Sequence, residues 1–140
     1  MALLLDTNVV SAARRLNRQT SEFQAFMAKF RSEDGYLSAV TIMEVRFGIQ
    51  NTIDRDPGFA ADLERWLTDR LLVDFAGRIL PFDTPIALRT GTLPTPNKRQ
   101  TADAMIAATA LHHGLTVVTR NTADFEPLGV VCLDPWRAID

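Results

Sequence analysis

Short apolar runs alternate with helix-period stretches along the whole chain. Residues 1–5 form an apolar run that stops at Asp6, as a buried strand would. Residues 7–16 read as a helix. Residues 21–30 read as a second, with Phe23, Phe26, Met27 and Phe30 three and four apart on one face and Gly35 as its breaker. Residues 36–38 form a strand, and 39–50 a helix whose apolar positions are Ile42, Val45, Phe47 and Ile49. Residues 54–58 are a loop. Residues 59–75 return to helix period, with Leu63, Trp66, Leu67 and Leu71 as the core stripe. A strand at 78–82 and a helix at 85–90 follow, the helix cut short by Gly91, Pro94 and Pro96. Residues 101–113 form an Ala-rich helix that Gly114 stops in the left-handed conformation. Strands at 115–119 and 130–133 complete the chain.

Strands alternating with helices at this spacing predict an α/β fold with a central, mostly parallel sheet. At 140 residues, with no linker or repeat, the chain reads as a single domain over 1–140. The 46% hydrophobic and 23% charged residues are those of a globular protein that folds without staples. The single cysteine, Cys132, can make no internal disulfide and reads as a small hydrophobe in the last strand. No stretch approaches the ~18 apolar residues of a membrane span, and the start lacks a signal peptide's basic region, so a cytoplasmic location is expected. The formal net charge of −2 argues against a passive nucleic-acid binder. It leaves room for an enzyme whose acids are gathered in one pocket.

The positions of the acids sharpen this picture. Asp6 follows the first strand, Glu44 lies early in the helix after the second, and Asp103 lies in the first turn of the Ala-rich helix. Asp124 follows the strand at 115–119. In a parallel sheet all four fall at one edge, where α/β sites form. Each acid has a structural alternative: Asp6 as an N-cap, Asp103 as a favourable charge at a helix start, Glu44 as a surface residue, Asp124 as a turn former. Taken together, four converging carboxylates repel one another unless a cation sits among them, and oxygen ligands select Mg²⁺ or Mn²⁺ over zinc. Such a centre suits phosphodiester cleavage. His112 and His113 read as a solvated helix end.

The motifs resemble those of the PIN-domain family, specifically VapC toxins and their FitB-like branch. The resemblance runs nearly end to end: Leu3-Leu4-Leu5-Asp6-Thr7-Asn8, Leu37-Ser38-Ala39-Val40-Thr41-Ile42-Met43-Glu44, Thr101-Ala102-Asp103-Ala104, and Thr119-Arg120-Asn121-Thr122-Ala123-Asp124-Phe125 appear in order. Residues 75–83 and the ending Asp134-Pro135-Trp136 are what point to the FitB-like branch. The resemblance implies a three-layer α/β/α domain and a Mg²⁺- or Mn²⁺-dependent endoribonuclease, with Asp6, Glu44, Asp103 and Asp124 as catalytic and metal-holding acids. Thr7, Asn8, Thr119 and Asn121 would orient these acids or their waters. Products would carry 5′-phosphate and 3′-hydroxyl ends. It also implies a homodimer and a small DNA-binding antitoxin whose C-terminal segment enters the toxin's groove. The face of Phe23, Phe26, Met27 and Phe30 would line that groove, a dimer interface or the core.

RNA must be gripped despite the negative net charge. Candidate contacts are Lys98 and Arg99, in a Pro-punctuated loop before Asp103, with Arg46 and Arg120 beside motif acids and Arg14, Arg15 and Arg18 after the first helix. Two other readings compete. An Asp-nucleophile phosphatase of the haloacid-dehalogenase type would want a second acid two residues after Asp6, where this chain has Asn8. A non-catalytic PIN-like module binding RNA or protein would normally have lost one of the acids.

Overall fold

The computed structural model describes residues 1–137. Its strands are β1 (Leu3–Leu5), β2 (Gly35–Ser38), β3 (Ile79–Leu80), β4 (Thr116–Val118) and β5 (Cys132–Leu133). Between and after them run α1 (Thr7–Ala13), α2 (Ser21–Lys29), α3 (Ala39–Thr52), α4 (Pro57–Trp66), α5 (Leu72–Asp74), α6 (Thr84–Thr90), α7 (Ala102–His113) and α8 (Thr122–Phe125). The strands lie in the order β3-β2-β1-β4-β5, and every neighbouring pair is parallel. From β1 the chain steps outward through β2 and β3 on one side, then returns to fill β4 and β5 on the other. The winding therefore reverses between β1 and β4, and the crevice beyond their C-terminal ends is the switch point where α/β sheets place ligands.

β1 is buried on both faces, and its side chains divide the core. Leu3 and Leu5 join Val9, Val10, Phe23, Leu37, Val45, Ile49, Leu67 and Leu71 in one cluster. Leu4 joins Ile106, Ala107, Ala110, Val117, Phe125 and Leu128 in the other. The two-residue alternation of a strand thus loads helices onto both faces, and the three-layer α/β/α expectation holds. The alanines of α7 let that helix lie close against the sheet.

Local chemistry sets the boundaries. Thr20, Ser38, Asp56, Asp83 and Thr101 each accept a backbone N–H as N-caps of α2, α3, α4, α6 and α7. Gly114 closes α7 at φ 68°. Several sequence expectations need correction. Asp56 caps a helix that begins at Pro57, so residues 57–58 belong to α4 and not to a loop; proline suits this first position because its missing N–H has no helical partner there. That helix widens through a π turn at Leu67–Leu71 into α5, which keeps Leu67 and Leu71 in the core. α2 ends because Phe30 turns extended, at ψ 130°. Gly35 is not the breaker but the first residue of β2, where a Cβ would lie 2.5 Å from Phe30 Cζ. α1 stops at Ala13, before a separate 3₁₀ turn at Leu16–Arg18. Phe47 is not a core residue but 65% exposed. Cys132, on an edge strand, is half-buried rather than buried, and burial pushes its thiol up to about 11. Among the described residues no helix is long and apolar enough to cross a membrane.

Candidate functional site

Asp6 sits where β1 hands over to α1, at the switch point. Its N–H continues the sheet ladder to the Val118 carbonyl at 2.9 Å. Its side chain is 4% exposed and has both oxygens engaged: Oδ1 accepts the Thr7 N–H and Oδ2 accepts the Thr119 hydroxyl, each at 2.8 Å. Asp6 is therefore an N-cap, as its structural alternative held, but the cap uses only one oxygen. The other ties β1 to the residue that follows β4.

Thr119 is the hub of that tie. Its hydroxyl donates to Asp6 and accepts the Asn121 backbone N–H at 3.0 Å and an Asn8 side-chain N–H at 3.4 Å. One donor and two lone pairs are all a hydroxyl has, so the Thr119 hydroxyl is saturated and its direction is fixed. Asn8 Oδ1 in turn accepts the Arg120 N–H at 3.4 Å. Thr7 does the same service for the second acid, its hydroxyl donating to Glu44 Oε1 at 2.6 Å across from α1 to α3. Of the residues expected to orient the acids, Thr7 and Thr119 bond them directly, Asn8 reaches Asp6 only through Thr119, and Asn121 is different. It contributes its backbone N–H, and its side chain makes no hydrogen bond among the described residues.

The other two acids complete the ring without such support. Asp103, in the first turn of α7, and Asp124, in α8 rather than a loop, accept no side-chain hydrogen bond among the described residues. Their proximity registers electrostatically. Desolvation holds the Asp6 carboxyl above its usual range against the pull of Thr119 and Thr7, and the charges of Glu44 and Asp124 add to it. Desolvation also pushes Asp103 up to about 6, helped by the charges of Asp6, Asp124 and Glu44. Four carboxylates from four separate elements thus act on one another.

Carboxylates brought together in this way would suit a hard cation. A positive charge among them would relieve the mutual repulsion that helps raise Asp6 and Asp103. Oxygen donors suit Mg²⁺ or Mn²⁺. Among the described residues no three His, Cys, Asp or Glu side chains already stand as a closed ligand group. An ion held by one or two of these carboxylates with water in its other positions fits, and Mg²⁺ commonly binds so. His112 and His113 lie exposed at the far end of α7, about 14 Å along the helix from Asp103 at 1.5 Å per residue.

The candidate cations are spread over several elements. Lys98 and Arg99 are exposed, in a segment where Asn97 and Lys98 both take left-handed φ, 56° and 55°. Arg46 is exposed on α3, and its guanidinium donates to Gln50 at 3.4 Å. Arg14 and Arg15 both lie against the Phe59 ring, at 5.3 and 5.2 Å. Arg120 lies over the Trp136 ring at 4.8 Å. The sequence reading missed this last contact. An arginine just past a site strand and a tryptophan just past the edge strand were its only signals. On α2, Phe23 is wholly buried, while Phe26 and Phe30 line a groove of about 670 Å³, and Met27 and Phe30 a second of about 520 Å³. The engaged amide of Asn8 leaves no acid two residues beyond Asp6, which removes the phosphatase reading.

The PIN domain family matches residues 3–129. The chain is 37% identical to toxin FitB of Neisseria gonorrhoeae, covering 96% of this chain and 99% of that one. It is 33% identical to the VapC ribonuclease Y4jK of Sinorhizobium fredii, covering 96% and 98%. The solved structure of FitAcB from Neisseria gonorrhoeae superposes with a TM-score of 0.82 at 37% identity, covering 96% and 98%. Other solved neighbours are toxin–antitoxin complexes.

Proposed function

This chain belongs to the PIN-domain family, and from that premise we propose that it is a metal-dependent endoribonuclease, the toxin of a toxin–antitoxin pair acting in the cytoplasm. The observation that carries the reading is the convergence of Asp6, Glu44, Asp103 and Asp124 at the switch point, with Asp6 buried and pinned. Relatives named as a ribonuclease and a toxin support it.

Asp6, Glu44 and Asp103 would hold Mg²⁺ or Mn²⁺, directly or through water, with Asp124 completing the set. When bound, the ion supplies Lewis acidity, acidifying water and neutralising charge on the phosphate and the leaving oxygen. The chain's own residues do the rest. Thr119 and Thr7 keep Asp6 and Glu44 aimed into the crevice, so that no reorganisation is needed when the phosphate arrives. Asp103 must be ionised to take part. Water attacks the phosphate in line and the 3′ oxygen departs, leaving 5′-phosphate and 3′-hydroxyl ends. Lys98 and Arg99 supply the charge that draws the RNA backbone to an otherwise acidic edge.

A cognate antitoxin would occupy the apolar grooves beside α2 and direct a basic side chain at the acids. A second copy of the chain would cover exposed Met43 and Phe47 on α3. The test is to treat total cellular RNA with the purified protein in Mg²⁺ and in chelator, then map the ends. Metal-dependent cuts with 5′-phosphates are expected. A 2′,3′-cyclic phosphate would contradict the mechanism, because it requires attack by the 2′-hydroxyl.

A further inference from the structure

Beside the acid pocket, three side chains rise as a column from core to solvent. Phe23 of α2 is wholly buried. Trp136, beyond the C-terminal end of β5, stacks on it with centroids 4.5 Å apart and planes 25° from parallel. The Arg120 guanidinium covers Trp136 at 4.8 Å, and Arg120 itself is exposed. The column is braced from the sides. The indole N–H donates to Gln19 Oε1 at 3.3 Å, and the Trp136 backbone N–H donates to Asp134 Oδ1 at 2.9 Å. At its root, the Arg120 N–H donates to Asn8, whose amide bonds Thr119, whose hydroxyl holds Asp6.

The Arg120 guanidinium makes neither ion pair nor hydrogen bond among the described residues, and its resolved contact is the face of an indole. Arginine held flat on an aromatic presents a preorganised plane, and single-stranded RNA is read by stacking its unpaired bases on arginine planes and aromatic rings. Arg120 follows Thr119 directly and its backbone N–H bonds Asn8, which roots the shelf in the same bonds that hold Asp6.

We propose that Arg120, seated on Trp136, is a stacking shelf for an unpaired base of single-stranded RNA next to the scissile phosphate, a specificity element distinct from the metal-holding acids. It rests on the reading that the substrate is RNA. The shelf takes a base of any identity, since every base has a π face, and it rejects duplex RNA, whose bases are already stacked.

The test separates binding from cutting. Asp6→Asn protein is titrated with fluorescent ten-residue oligoadenylate and with an abasic ribose-phosphate strand of equal length. The base-bearing strand should bind about tenfold tighter, within the range found for one stacked base. Adding Arg120→Ala or Arg120→Lys should abolish most of that difference, because lysine keeps the charge and loses the plane. A lysine variant that retains the full difference would overturn the shelf and leave a plain charge contact. Equal binding of the two strands by the Asp6→Asn protein, or no binding of either, would overturn it too. Arg120→Ala that leaves RNA binding untouched but weakens capture of the antitoxin would reassign the column to the protein partner. If the wild type cuts no RNA while the Asp6→Asn protein shows the base-dependent difference, the nuclease reading fails and the shelf stands.

Discussion

Two of the four acids are held by neighbours and two are not. Asp6 has both oxygens bonded and Glu44 has a threonine hydroxyl at 2.6 Å, whereas Asp103 and Asp124 have no such support among the described residues. Asp6 lies at the β1–α1 junction and Glu44 in the second turn of α3, each within reach of a threonine hydroxyl. The unheld pair lies on α7 and α8. The contrast assigns different work to the two halves of the pocket. The held pair is fixed in geometry and, on the proposed reading, would define where an ion sits. The unheld pair lacks such bonds, and an ion would relieve its charge.

The largest effect should come from breaking the held half. Asp6→Asn removes the charge and leaves one acceptor oxygen where two were used, and RNA cleavage should fall by about a thousandfold or more with the fold intact by circular dichroism. Next, Thr119→Val leaves the acid without its tether. Mg²⁺ affinity measured calorimetrically should weaken by about 10–100-fold, and Thr119→Ser should restore it.

The unheld half should show the opposite sign in stability. Asp103→Asn should eliminate most cleavage yet raise the melting temperature of the metal-free protein at pH 7 by about 3 °C, on the order of 1 kcal/mol once solvent screening is allowed for. The pH dependence follows from the same shift. A carboxyl whose folded value, about 6, exceeds its ordinary 3.8 favours folding most below 3.8, and loses that contribution as pH rises through 6. Metal-free protein should therefore gain stability from this group between pH 7 and pH 4. Differential scanning fluorimetry across that range would check it; a melting temperature that falls with Asp103→Asn would remove the argument from desolvation and repulsion. The smallest effect is expected from Asn121→Ala. Because Asn121 contributes its backbone, the rate should change by less than about threefold.

Much of this was legible in the sequence. Residues 3–5 announce a strand buried on both faces, and the acids fall one residue past strands or one turn into helices because parallel sheets gather their C-terminal ends. What could not be read are contacts whose partners lie far apart in the chain. The Thr119–Asp6 bond spans 113 residues and the Trp136–Gln19 bond 117. Phe47 was grouped with the apolar positions Ile42, Val45 and Ile49 of its helix, but α3 turns it to the open side, and only packing decides which face of a mostly apolar helix is covered. Gly35 was taken for a breaker, when its role is to let Phe30 approach β2.

The central claim, that the four acids form one metal-dependent nuclease site, is tested most directly by cleavage of a fluorescent RNA panel with Mg²⁺ or Mn²⁺, comparing wild type with Asp6→Asn. Cleavage that requires the metal and disappears in the variant is the predicted result. Equal cleavage by both proteins would contradict it, because the activity would then owe nothing to the buried carboxylate at the switch point.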